Sequence, residues 1–425
     1  MKTIVIGREK RAKEKNPVSL YSQIVTWKSF FSFELVFALY LFAGKYKADP
    51  RFSWIPVDIT LLFFVLSLFS GVIVLKRKQF SVNKDIVGFI VAGFLFFGYC
   101  LSSLLWTPGD VYALQKTLYV CVLTLWSFLG CTVIIGSEKV RLVRFFVAWI
   151  FFATWIGIES YLAFRATNGM VNVMAMGGNY LGIGRTIGPA ALLLLAVVIF
   201  SRMPIVVKGI SLFMFIAACH LLLVVGGRGP LLAVVFPVVI ATFLTISLRR
   251  GFSANRALFV VSLLGVLGSF YIGRLVVSGE MPVTLRRMMV LTEPDRGSSA
   301  GTRCIYIDKS FEYFDLSPIM GSGIGSWPIL SKERDTRGYP HNILLEILVE
   351  FGVVGSMLFA NLCIRALRNL GCLSVLRSDP LLLAILMVLI NTYFNALVSG
   401  DIPDNRIFFG MLGLTVFRAN GDGIL

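Results

Sequence analysis

Histidine is nearly missing from this 425-residue sequence, which has two, and the 23 acidic residues are outnumbered by 40 lysines and arginines. With so few histidines and no CxxC spacing there is no zinc signature, and no metal site or cofactor is expected. The seven cysteines are an odd number. Six of them, Cys100, Cys121, Cys131, Cys219, Cys363 and Cys372, lie in or just beside apolar runs, and Cys304 stands alone in a polar stretch, so a disulfide framework is excluded. Internal repeats are not evident and low-complexity tracts are absent. No cleavable leader is expected either. The basic start, Lys2 to Lys15, runs into a long hydrophobic segment without a small-residue cleavage site, so that segment should remain as an anchor.

What the chain does have is apolar side chain: 57% of its residues are hydrophobic and its mean hydropathy is +0.81. That is far more than a soluble core could hide, so lipid must be part of the solvent. The expected fold is an all-α polytopic membrane protein with about 12 transmembrane helices. The spans are expected near Phe30 to Gly44, Ile55 to Leu75, Ile86 to Trp106, Leu118 to Gly136, Phe145 to Phe164 and Ile183 to Phe200. The second half adds Gly209 to Val225, Pro230 to Leu248, Ala257 to Ile272, Ile343 to Ile364, Pro380 to Val398 and Arg406 to Phe417.

A formal charge of +17 could suggest nucleic acid. The basic residues instead fall in short clusters between apolar runs, the pattern of cytoplasmic loops, and no nucleic-acid partner is expected. One set of alternate connections holds Lys2 to Lys15, Lys76 to Lys84, Lys139 to Arg144, Arg202 and Lys208, Arg249 to Arg256, Arg365 to Arg377, and Arg418. Both termini are then cytoplasmic. The opposite set, Lys45 to Trp54, Thr107 to Lys116, Gly226 to Gly229, the long loop and Ser399 to Asn405, faces the exterior or periplasm. Trp54, Trp106 and Trp327, at span ends, suit the interfacial aromatic belt.

The whole chain reads as one integral membrane domain, with a large loop at residues 275–342 between the ninth and tenth spans. No other connection is both so long and so rich in ionisable side chains, and long connections tend to be functional or disordered. Gly301 to Phe314 could form an amphipathic helix there, and the run Ser317 to Pro328 cannot continue it, since glycine and proline break helical pairing. Gly321, Gly323 and Gly325 superficially resemble a dinucleotide loop, but no strand precedes them and no long helix follows.

His341 sits where the loop re-enters the bilayer. An imidazole there could accept a proton from a sugar hydroxyl near neutral pH, or merely help cap the next helix, for which Asn342 is the natural N-cap. The other histidine, His220, lies mid-span among leucines and reads as a helix contact. Arg228, in a tight Gly-Gly-Arg-Gly-Pro turn, could fork onto a phosphate or snorkel to the interface, and the same choice applies to Arg185. Arg303 in the long loop could be simply solvated. Jointly the three matter more, because the outer face is normally depleted of positive charge; together they would neutralise an anion such as a lipid diphosphate. Glu34, Glu159, Glu346 and Glu350 lie in or near apolar runs, where carboxylates are expensive. Glu346 and Glu350 share a helix face and could bind a proton or pair with arginines.

The ordered set Gly227-Arg228-Gly229-Pro230, Gly301-Thr302-Arg303, Ser317 to Trp327 with its three glycines, and Pro340-His341-Asn342 followed by Leu345-Glu346 and Glu350-Phe351-Gly352-Val353-Val354-Gly355 resembles the O-antigen ligase and polymerase superfamily. The histidine-to-glycine run is its most specific part. The resemblance implies an inner-membrane, metal-independent, inverting glycosyltransferase that takes a glycan from undecaprenyl diphosphate on the periplasmic side. The acceptor would be lipid A-core for a ligase, the reading slightly favoured, or another lipid-linked glycan for an O-antigen or exopolysaccharide polymerase. It implies a catalytic role for His341 and diphosphate binding by Arg185, Arg228 and Arg303, with Glu346, Glu350 and Asn342 in support. A lipid-linked glycan flippase would share the span count. Transporters, however, tend to gather binding residues at mid-membrane and to show repeats.

Overall fold

In a hydrocarbon solvent every backbone N–H and C=O has to find its partner within the protein, which leaves helices as the simplest way to cross. The computed structural model describes residues 32–77, 84–166, 173–248, 252–279, 281–290 and 298–420, and among them every regular element is helical. The basic N-terminal segment, Phe30 and Phe31 of the first expected span, and Lys78, Arg249 and Arg250 of the orientation argument lie outside the described residues.

The chain begins with α1 (Phe33–Phe42), α2 (Ile59–Arg77), α3 (Lys84–Ser102) and α4 (Val111–Ser137), the last containing two π-helical turns, Tyr119–Thr124 and Gly130–Ile134. There follow α5 (Lys139–Ala166), α6 (Tyr180–Phe200), α7 (Ile205–Val224), α8 (Arg228–Leu248) and α9 (Phe252–Val277). Between residues 277 and 343 come α10 (Val283–Met289), α11 (Ser298–Leu316) and α12 (Trp327–Leu330). The chain closes with α13 (Ile343–Leu370), α14 (Leu373–Ser378), α15 (Pro380–Val398) and α16 (Arg406–Leu414).

Nine helices among the described residues are long and apolar enough to cross a membrane. The other three of the twelve apolar runs expected from hydropathy correspond to α1, α8 and α16. α1 has 10 residues, α16 has 9, and α8 has a described apolar stretch of Arg228–Leu244.

Helix α6 is the axis, with 83% of its most apolar window buried, whereas no residue of the corresponding window of α9 is buried. It packs against α5, α7, α8 and α15, and it can do so closely because it carries glycines where they approach. A Cβ on Gly184 would stand 2.6 Å from Pro230 Cβ, so the missing side chain is what brings the start of α8, and Arg228 with it, against α6. Inside the spans, polar side chains find partners. Glu34 pairs with Arg141 at 2.7 Å, Glu159 with Arg51 at 2.7 Å, and His220 Nδ1 lies 2.8 Å from the Tyr271 hydroxyl.

The glycine-rich stretch after α11 acquires a structural task. Helix α13 is interrupted at Gly352 (φ 60°, ψ −158°), and the interruption frees backbone groups on both sides. The stretch repairs this. Ser322 and Gly323 N–H donate to the Val349 and Glu350 carbonyls, and Val353 and Val354 N–H donate to those of Pro318 and Ile319. Backbones must touch for this, and a Cβ on Gly352 would fall 2.5 Å from Gly321 N. Gly352→Ala therefore combines a left-handed φ with a backbone clash, for an expected loss of about 2–4 kcal/mol. The check is the melting temperature of the purified variant in detergent, which should fall by several degrees.

Trp327 differs from its expected place in the interfacial belt. It is 1% exposed, enclosed by Tyr306 and Tyr313 at centroid distances of 5.6 and 5.4 Å. The Pro328 ring at the first turn of α12 and the glycine turn before it fold the indole inward, so it packs protein against protein.

Candidate functional site

Four arginines meet where α6, α8, α10 and α11 converge. Arg185, Arg228, Arg287 and Arg303 line one cleft with Tyr180, Asn395 and Ser399, and among the described residues no carboxylate lines it. Each guanidinium is placed by local backbone. Arg185 lies in the second turn of α6, whose N-cap Asn179 accepts from Gly182 N–H, and it donates to the carbonyls of Asn395 (2.6 Å) and Ser399. Arg228 opens α8 after Gly226, which adopts φ 100°, and donates to the Arg287 carbonyl at 3.0 Å. Arg287 donates to the Gly226 carbonyl at 2.8 Å and to the Tyr180 hydroxyl at 3.2 Å, with its guanidinium 4.7 Å from the centre of the Tyr180 ring.

Arg303 is different: it is half-buried and makes no hydrogen bond or ion pair among the described residues. Burial, with Arg287 adding repulsion, depresses its pKa below the usual arginine value. Crowded, poorly solvated cations without counter-charge form an arrangement that an anion relieves, and planar forks suit phosphate oxygens.

His341 does not line that cleft, but it stands one turn along α11 from it. Tyr306, three residues after Arg303 and so on the same helix face, stacks on the imidazole with centroids 6.0 Å apart and planes 7° from parallel. Tyr339 meets the ring edge-on at 4.5 Å. The residue itself has φ 60°, rare without glycine, and the following Asn342 caps α13 by accepting from Leu344 and Leu345 N–H at 2.9 and 3.2 Å. Nδ1 is enclosed and without a hydrogen-bond partner. Burial, then the positive charges of Arg303, Arg337 and Arg185, lower the His341 pKa below its ordinary 6.5, with Asp404 opposing them. A neutral imidazole beside fixed cations can take up a proton, and the cations make it give that proton back readily.

Glu346 and Glu350 lie one and two turns beyond, fully buried, and their partner is a lysine rather than the arginines considered from sequence. Lys116 on α4, itself buried, approaches Glu346 at 2.6 Å and Glu350 at 2.5 Å. Glu346 also accepts from Ile402 N–H at 3.2 Å. Next to Ile402, Asp401 binds Arg337 at 2.9 Å, and Arg337 also pairs with Asp404 at 2.6 Å. The Arg337 guanidinium lies 5.3 Å from the centre of the Tyr339 ring, so a chain of contacts joins the buried triad to the imidazole. Burial, reinforced by Asp404, raises the Asp401 pKa, whereas at Asp404 burial is outweighed by Arg337, Lys45 and Arg185 together, which lower it. Asp401 and Asp404 outweigh burial at Arg337 and raise it.

Sequence reasoning singled out Arg185, Arg228, Arg303 and His341 and passed over Arg287, Lys116, Arg337 and Asp401. Arg287 was one of two adjacent arginines in a long polar stretch, and Lys116 closed a connection counted only for its charge. Of the described residues, no cluster of three or more His, Cys, Asp or Glu could hold a metal.

A many-helix membrane protein with an acid-free guanidinium cleft beside a histidine is the class these features define. Residues 212–360 match the family model described as O-Antigen ligase, so that stretch of the chain is similar to that family. That stretch contains Arg228, Arg287, Arg303, His341, Glu346 and Glu350, whereas Arg185 and Lys116 lie outside it. No curated protein matches the chain.

Proposed function

We propose that the protein is an inverting, metal-independent glycosyltransferase of the bacterial inner membrane that moves a glycan from undecaprenyl diphosphate to an acceptor sugar at the periplasmic face. The observation that carries this is the cleft lined by four arginines and, among the described residues, by no carboxylate. A diphosphate is already a competent leaving group, so the protein's share is to stabilise its growing charge and align the acceptor alcohol. In a single displacement the acceptor oxygen bonds to the anomeric carbon as that carbon's bond to the diphosphate breaks. The electron pair leaves with the diphosphate into the arginine cleft, and the hydroxyl proton passes to His341. Both termini are then cytoplasmic, and the stretch at residues 275–342 is the periplasmic loop that carries Arg287, Arg303 and His341. The acceptor is lipid A-core if the enzyme is a ligase and another lipid-linked glycan if it is a polymerase.

Product analysis with purified protein, undecaprenyl-diphosphate glycan and acceptor tests the reading. A new glycosidic bond with release of undecaprenyl diphosphate supports it, and relocation of an unchanged donor, as by a flippase, refutes it. Arg303→Ala should lower kcat/KM about 10²–10³-fold, because a donor aimed at developing charge is lost, and Arg303→Lys should restore only part, since a point charge lacks the fork. Unchanged turnover in both variants would remove Arg303 from the diphosphate site.

A further inference from the structure

A second cavity, of about 680 Å³, shares no lining residue with the arginine cleft and has two kinds of wall. Lys45, Gln115 and Asp404 line its polar part, and Leu61 and Leu118, each more than half exposed, with Val122, line an apolar part between α2 and α4 that opens towards lipid. We propose that this cavity is the acceptor site, and that it takes an amphiphile: a sugar headgroup whose lipid anchor leaves the protein sideways between α2 and α4. This rests on the donor assignment made above.

Three further observations converge on it. The charged groups that act on His341 divide between the two spaces, Arg185 and Arg303 lining the cleft, Arg337 and Asp404 lining the cavity. The imidazole therefore stands between them, as a proton acceptor must between a donor and an acceptor substrate. Lys45 marks the same wall. Its chain lies against Gly182, where a Cβ would be 3.3 Å from the amine, one turn before Arg185, and its ammonium has no ion pair or hydrogen bond among the described residues. Burial lowers its pKa to about 8, so it is a poorly satisfied donor awaiting a polar partner. Last, the family-matched residues 212–360 contribute only Arg337 to the lining. Three of the four arginines of the cleft that would hold the shared leaving group come from the matched stretch, whereas the cavity is built almost wholly from the rest of the chain, where a member can differ in what it accepts. The size and mixed polarity are those of a specific small-ligand site.

The test uses the full chain with a photoreactive residue in place of Leu61, or in place of Leu181 beside the arginines, in membrane vesicles holding the host's own glycolipids and added undecaprenyl diphosphate. Position 61 should capture a sugar-bearing lipid, lipid A-core for a ligase or lipid-linked glycan for a polymerase. Capture of sugar-free phospholipid alone would overturn the proposal. Position 181 should capture undecaprenyl diphosphate; if it does not, the donor assignment is what fails. In kinetics, Gln115→Trp should raise the acceptor KM tenfold or more with donor KM unchanged. A rise in donor KM alone would place the donor, not the acceptor, in this cavity.

Discussion

His341→Ala is expected to reduce glycan transfer about 10²–10⁴-fold, the usual worth of a positioned general base, while binding of undecaprenyl diphosphate persists. The partners proposed for the diphosphate are the four arginines of the cleft, none of which the substitution touches. The same assignment fixes the pH profile. Catalysis as a base needs neutral imidazole, and burial with three nearby cations depresses its pKa, so the acid limb should lie below 6.5. Among the charges acting on the imidazole, Arg303 is the largest influence, and removing a cation favours imidazolium. Arg303→Gln should therefore shift the acid limb of the remaining activity to higher pH. Full transfer in His341→Ala would eliminate the base, and an acid limb unmoved in Arg303→Gln would eliminate the electrostatic link between cleft and imidazole.

The sequence made some of this legible because the physics was local. Apolar runs of span length announced the existence of α2 to α7 and α15, since hydrocarbon imposes helix on any such run, although only α15 matches at both ends. His341 stood out through scarcity, and Asn342 through its place before an apolar periodic run, where it does cap α13. Arg185 and Arg228 were visible because guanidinium groups at the outer ends of apolar helices are unusual. What stayed hidden depends on contacts distant in sequence. Lys116 is paired with residues 230 and 234 positions away, the glycines after α11 serve a kink in α13, and Trp327 packs inward because α11 happens to cover it. The twelve apolar runs and the nine long apolar helices among the described residues differ at α1, α8 and α16, and of these α16 packs against α4 and α15.

Lys116→Met is expected to cost about 3–5 kcal/mol, the typical penalty for leaving a buried charge without its partner. Here two carboxylates, both fully enclosed, would lose the one ammonium between them, and no other cation lies within salt-bridge distance of either. The damage should not stay local. Glu346 holds Ile402 N–H, and the adjacent Asp401 holds Arg337, which in turn lies over the Tyr339 ring against His341. Melting temperature and yield in detergent should therefore fall sharply, and any protein that survives should show a lowered kcat with little change in undecaprenyl diphosphate binding. The compensating triple variant, Lys116→Met with Glu346→Gln and Glu350→Gln, removes all three charges together and should recover most of the lost melting temperature, because a buried ion cluster costs more to break than to replace. Activity need not return with it, since a glutamine at 346 can keep the Ile402 contact while altering the charge felt at Asp401. If Lys116→Met alone melts like the parent, the triad is not what fixes α4 to α13, and the chain of contacts from it to the imidazole has no structural force.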